Sequence, residues 1–328
     1  MAQVSGTTDS YDLVGVAEDI EDVIFNISPT ETPLLTMAGR KTAENTLHQW
    51  QTDSLAAAAA NRQIEGDDAS YVTAAPTVML SNYTQISRKT LLVSRTADKV
   101  RKYGRDTEIA RLIAKYGKEL KRDIEFAMIQ NQASSAGGSA TARSSAGLES
   151  MLAGNRILPT TSGSGTTPGY AAGVWSAPTD GTATGAGATL TEDYLKQALE
   201  ASWADGGDPS LILTNTYQKK TIATFSGANK FAGNYTEGSR TQQGVLVAGV
   251  DMYISDVGEH KIKLNRYMRQ RTLFALDPEY VDIAWLDGIK VDELAKTGDA
   301  TKKQMVCEWT LVVGNPDAHA KVQDLFSV

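Results

Sequence analysis

Three histidines and one cysteine are the side chains here best suited to metal binding or nucleophilic chemistry: His48, His260, His319 and Cys307. A zinc site needs three or four convergent ligands, usually His or Cys. The three histidines fall in separate stretches, and none stands at ligand spacing from a second His, Cys or carboxylate. A Ser-His-Asp triad assembles across a fold, so spacing alone does not exclude one. The sequence has no Gly-x-Ser-x-Gly elbow, however. Gly163-Ser164-Gly165 lacks the lysine, the preceding strand and the following helix of a phosphate loop. Asp67-Asp68 reads as a polar turn, and Cys307 as a buried, inert thiol on the apolar face of a strand. The expectation is no catalytic residue, no cofactor and no metal.

Charge offers a different chemistry. Residues 1–70 hold twelve acids against three bases, and residues 86–122 hold twelve bases against four acids. Opposed blocks can meet within one chain or across two copies, where they fix register and speed encounter. Glu18, Asp19, Glu21 and Asp22 on one side, and Arg88, Lys89, Arg101 and Lys102 on the other, are the candidate intersubunit contact. A solvated charged surface is the competing reading.

The net charge of −7 argues against a dedicated nucleic-acid binder, because affinity for nucleic acid comes mainly from neutralising phosphates. No apolar run is long enough to cross a bilayer, and the polar N-terminus lacks the regions of a signal peptide. One cysteine excludes an intrachain disulfide, which fits synthesis in a reducing cytoplasm.

The elements that must position these groups follow from periodicity. Val16, Ile20, Val23 and Ile24 recur at helical spacing, and Asn26-Ile27-Ser28-Pro29 ends that helix. Alternation over Thr46–Leu55 and Thr77–Ser94 reads as two long strands joined by a polar tip. Such a two-stranded ribbon is marginal alone in water and needs a surface to lie on. Ile109, Leu112, Ile113, Tyr116, Leu120, Ile124 and Met128 predict one helix over Asp98–Asn131, about 45 Å long. Residues 134–190 are 40 parts Gly, Ser, Thr or Ala in 57 and carry four charges, which reads as a flexible loop with Leu148, Met151, Leu152, Ile157 and Leu158 docking back. From Thr191 onward the pattern is compact. A helix to Ala204 turns Leu195, Ala198, Leu199 and Trp203 inward. A strand at Leu211–Leu213 precedes a helix capped by Asn215 or Thr216. Mostly antiparallel strands follow near 245–255, 261–265, 272–276 and 280–286. Gln304–Val313 forms a last ribbon, and Asn315 caps a short C-terminal helix. The class is α+β.

The order of arm, unsupported hairpin, long helix, flexible stretch and compact domain resembles the major capsid proteins of tailed bacteriophages. Particular stretches are similar to one family of phage major head proteins. They are 11–19, 27–35 and 118–125 early in the chain, and 276–281 (Leu-Asp-Pro-Glu-Tyr-Val), 293–299 and 315–320 toward the end. The resemblance implies the Hong Kong 97-type capsid fold. Its parts would be an N-terminal arm (1–45), an E-loop hairpin (46–95), a peripheral domain with the spine helix (96–133 and 287–314), an axial domain (134–286, including the insertion 134–190) and a C-terminal helix (315–328).

The implied function is a major capsid protein, self-assembling through hexamers and pentamers into an icosahedral shell around double-stranded DNA, with no sequence-specific DNA contact. Localisation would be the virion capsid, after synthesis in the host bacterial cytoplasm. The arm would reach another subunit. It begins within a few residues of Met1, so a scaffold would be a separate protein, alongside a portal and possible cement proteins. An encapsulin-like shell of the same fold, or another phage structural component, is the alternative.

Overall fold

The computed structural model describes residues 30–68, 71, 73–159, 165–180, 187–225 and 251–326. The helix expected at 16–24, with Glu18, Asp19, Glu21 and Asp22, lies outside the described residues, as does the loop at 227–244. In chain order the elements are α1 (Pro33–Met37), β1 (Gly39–Thr42), β2 (Leu47–Thr52), β3 (Val78–Tyr83), β4 (Gln85–Ser94), α2 (Arg95–Lys99), α3 (Glu108–Ile129), α4 (Leu148–Met151), β5 (Arg156–Ile157), β6 (Gly169–Ala171), β7 (Val174–Ser176), α5 (Glu192–Ala204), β8 (Leu211–Thr214), α6 (Thr216–Ile222), β9 (Met252–Ile254), β10 (Glu259–Leu264), β11 (Leu273–Leu276), β12 (Val281–Glu293), β13 (Ala300–Val313) and β14 (Ala320–Val322).

Two sheets organise the chain. One has four strands in the order β1-β12-β13-β4, with β1 parallel to β12 and the rest antiparallel. Met305, Cys307, Trp309, Leu311 and Val313 alternate along β13 and are all buried, as period two requires. They pack with Leu120, Ile124 and Met128 of α3 in one core. The other sheet has six strands in the order β5-β14-β11-β8-β10-β9. Three of its five strand pairs are antiparallel, in line with the expectation, while β10 and β8 are parallel, as are β14 and β5. Alternate residues of β11 serve different cores. Phe274 and Leu276 face the α3 side, while Leu273 and Ala275 pack with Leu195 and Leu199 of α5. A strand covered on both faces reads as a continuous apolar run, and β11 is Leu-Phe-Ala-Leu.

Several sequence expectations change. The helix expected over Asp98–Asn131 breaks at Gly104, whose φ of +73° favours glycine. After the break Thr107 caps α3 by accepting from the Ala110 N–H. The helix has 22 residues, about 33 Å at the standard rise. The alternating run Thr77–Ser94 is two strands: β3 pairs with β2, and β4 pairs with β13. The strand switches sheets at Thr84, whose backbone N–H bonds Thr46 O and whose hydroxyl bonds Glu308. Trp203 is 62% exposed rather than inward. Asn315 caps only a short 3-10 turn, and the chain then enters β14 instead of a C-terminal helix.

The insertion departs furthest from a flexible loop. Leu148, Met151 and Leu152 are buried as expected. Its four charges are all engaged. Arg143 pairs with Glu308, Glu149 and Asp180 both pair with Arg269, and Arg156 donates to Thr166 O. Lys321, fully buried, donates its ammonium to Glu149 O at 2.6 Å. Small residues raise the entropy of ordering a loop, but here a few charged and apolar anchors hold its described residues in place.

Candidate assembly surfaces

β2 and β3 pair only with each other, and Leu80 and Trp50 seat the base of this hairpin against the core. Its register runs from Leu47 opposite Tyr83 to Thr52 opposite Val78. Beyond that pair every described residue of 53–77 is exposed and none lies in a strand or helix. Leu55 is 98% exposed, Tyr71 96% and Ile64 79%. Large apolar side chains held in water at the end of a ribbon mark a surface made for another surface. Glu65, Asp67 and Asp68 are exposed on the same tip.

The base of the hairpin is locked. Asn82 is fully buried and fills all of its amide valences. It donates to Leu311 O at 2.8 Å and to Ser145 Oγ at 3.1 Å, and it accepts from the N–H groups of Ala146 and Tyr83. Trp175 Nε1 donates to Ser81 O at 2.8 Å, and Ser81 Oγ is 2.8 Å from Tyr170 Oη. The Tyr170 and Trp175 rings lie 4.7 Å apart. Sequence reasoning missed these two aromatics, which sit in the small hairpin of β6 and β7. Its two-residue turn, Ala172-Gly173, has φ of +51° and +82°, the geometry that matches strand twist. The signal was a Tyr and a Trp flanking an Ala-Gly pair, without the usual Asn-Gly.

The candidate charge contacts are only partly free. Arg88 and Arg101 are exposed. Lys89 is engaged within its own chain, 2.7 Å from Asp123 and 4.0 Å from Glu119. Lys102 donates to Asp98 O at 3.0 Å. The basic block therefore meets part of its opposite charge on α3 itself.

Residues suited to chemistry are scattered. His260 is buried between Ser255 Oγ and Pro209 O. His319 accepts from the Asp277 N–H at 3.0 Å, and burial lowers its pKa to about 4. Burial pushes the Cys307 thiol up to about 12. Among the described residues no three His, Cys, Asp or Glu gather to hold a metal ion, and no helix is long and apolar enough to cross a membrane.

Two sheets, a long helix across one of them and a protruding hairpin define a Hong Kong 97-type capsid subunit. The cyanophage A-1(L) capsid asymmetric unit has this fold with a TM-score of 0.67 at 14% identity, over 97% of this chain and 99% of that one. The capsid of a native GTA particle matches at 0.60 and 11% identity, over 97% and 98%. The SrpI encapsulin of Synechococcus elongatus PCC 7942 matches at 0.54 and 11% identity, over 94% and 92%, so fold alone does not separate phage shells from encapsulins. Sequence does: the chain belongs to the SU10 major capsid protein family, whose model matches residues 3–326. A curated relative, the major capsid protein of Escherichia phage Phieco32, is 40% identical over 125 residues, 38% of this chain. The match spans only about a third of that relative's length, 36%.

Proposed function

We propose that this chain assembles, as hexamers and pentamers of one subunit, into the icosahedral shell around the double-stranded DNA of a tailed phage. The observation that carries the reading is the hairpin: a base locked by Asn82 and Trp175, and a tip that exposes Leu55, Ile64 and Tyr71. A subunit holding a ribbon rigidly in water is incomplete without a neighbour to cover it. In this reading the hairpin is the E-loop, α3 is the spine, the four-stranded sheet belongs to the peripheral domain and the six-stranded sheet to the axial domain.

Arg88 and Arg101 then face an acidic neighbour, and the tip's Glu65, Asp67 and Asp68 are suited to meet them. Each exposed pair contributes about 0–1 kcal/mol, so the energy comes from many copies and assembly is salt-sensitive. The role is structural rather than enzymatic, the subunit is made in the host cytoplasm, and DNA is enclosed without sequence recognition. Family membership favours this over an encapsulin. Negative-stain microscopy of the purified chain, alone and co-expressed with its neighbouring viral genes, tests it. Closed shells or ring-shaped capsomers support it, and small monodisperse particles under every condition contradict it.

A further inference from the structure

Arg88 and Lys89 are neighbours on β4, so their side chains point to opposite faces of the four-stranded sheet. Lys89 reaches Asp123 on α3, which puts Arg88 on the face away from that helix. On the other face α3 covers the sheet with Leu120, Ile124 and Met128, and its outer surface holds a second set of cations.

This second set is not matched by acids. Of the four acids on α3, Glu125 is buried, Glu108 pairs with Arg105 and Arg111, Glu119 with Lys89 and Lys115, and Asp123 with Lys89. Lys118 and Lys121 are exposed and Arg122 is half-buried, and none of the three forms an ion pair among the described residues. Steps of three and four residues put Lys118, Lys121 and Arg122 on one helix face, about 5–6 Å apart. The surface continues at both ends. Arg40 lines, together with Lys118 and Lys121, a groove of about 620 Å³. The Arg122 guanidinium lies over the Tyr267 ring, 5.9 Å from its centre, and its Nε has no hydrogen-bond partner among the described residues. Arg266, beside Tyr267, is exposed and also forms no ion pair among the described residues. Five cations from β1, α3 and the loop after β10 thus join in one surface, with the acids of α3 all turned elsewhere.

Such a surface fits a partner whose negative charge is uniform. A DNA duplex carries one charge per about 1.7 Å of its axis, so flexible heads at this spacing meet phosphate in any register, and none of them needs a base edge. An acidic protein would have to bring a carboxylate to each head at a fixed position. In the proposed shell the acidic hairpin tip meets Arg88, on the opposite face of the sheet.

We propose that the outer surface of α3, with Arg40, Lys118, Lys121, Arg122 and Arg266, lines the inside of the shell and bears on the phosphate backbone of the enclosed DNA. Its location rests on the shell reading, and its affinity for duplex does not. The net charge of −7 opposes binding, so each subunit holds the duplex weakly and without regard to sequence.

The unassembled fraction of the full-length chain, separated by sedimentation, is titrated into a short labelled duplex of random sequence over a range of salt. One variant carries Lys118→Gln, Lys121→Gln and Arg266→Gln, with Arg122 kept because it packs on Tyr267. A control carries Lys99→Gln, Lys220→Gln and Lys296→Gln, three exposed cations elsewhere, and so has the same net charge. Wild type and control should bind alike. The first variant should bind about tenfold more weakly or worse at low salt, and its plot of log affinity against log salt should be shallower by about 2.7. No binding by wild type, or equal losses in the two variants, overturns the proposal. Displacement of the duplex by polyglutamate at equal charge concentration overturns it too, and assigns the surface to an acidic protein. Intact shells should not bind added duplex; binding that the first variant abolishes would place the surface outside and overturn the lining. Microscopy reads shell formation separately. Shells from a chain that does not bind duplex refute this proposal alone, whereas duplex binding by a chain that never forms shells refutes the shell reading and the lining with it.

Discussion

Glu125, on α3, accepts the backbone N–H of Leu34 at 2.9 Å with one carboxylate oxygen, and that of Leu35 at 2.7 Å with the other. The first oxygen also takes the Asn265 side-chain amide at 2.5 Å. One fully buried carboxylate thus joins the long helix, the start of α1 and the six-stranded sheet. Burial pushes its pKa up, and the three donors oppose that. Glu125→Gln places an amide donor against one of those N–H groups. We expect a loss of about 1–3 kcal/mol in urea unfolding of the subunit, the usual cost of a stranded buried polar group. An unchanged midpoint would show that the clamp carries no stability.

Asn82→Ala empties the junction between hairpin, insertion and β13. The Leu311 carbonyl, the Ala146 N–H and the Ser145 hydroxyl all lose a buried partner. A destabilisation of about 2–4 kcal/mol is expected. Proteolysis should then cut first near the base of the hairpin. Wild-type resistance there would contradict the hub role.

His319 sets a pH dependence. In the unfolded chain its pKa is the ordinary 6.5, and in the fold it is lowered to about 4, chiefly by burial, although the nearby Asp277 charge acts the other way. Protonation would also turn the Nδ1 acceptor into a donor facing the Asp277 N–H. Unfolding therefore takes up a proton between these values. The ring's contribution is full above pH 6.5 and disappears as the pH falls through 4, on the order of 3 kcal/mol in all. Unfolding curves of His319→Gln should lose stability less steeply than wild type across that window. Parallel curves would refute the assignment.

Cys307 is fully buried and its thiol is pushed up to about 12 by burial. Because the thiolate is the reactive form, a thiol-specific reagent at neutral pH should label it only once the chain unfolds. Rapid labelling of native protein would mean that β13 opens far more readily than its packing implies.

Much of this fold was legible because one-sided burial writes a period into sequence. The stripe of α5, the alternation of β13 and the Asn215 and Thr191 caps are local signals, and each appears where it was read. The errors share one cause: the deciding partner was distant in sequence. Nothing near Thr84 says that the strand changes sheets, because alternation reports faces and not neighbours. Glu149 and Asp180 look like stray charges until Arg269 reaches them. Trp203 fits the apolar stripe of α5, yet the buried place in that turn is taken by Ser202, which bonds Ala318 O, a partner distant in sequence. Of the candidate contacts, Arg88 and Arg101 stay exposed, while Lys89 found an acid on α3 that no sequence spacing indicated.

The hairpin tip offers the most direct measurement. Replacing residues 53–77 with Asn-Gly joins Thr52 to Val78 through a two-residue turn, the length that suits a paired register. Sedimentation of this variant and of the full chain, expressed under the same conditions, compares their assembly, and thermal unfolding compares their folding. The full chain should sediment as shells or capsomers, and the shortened one as a folded monomer with a similar melting temperature. Shells of normal size from the shortened chain would contradict the claim that the hairpin is completed by a neighbouring subunit.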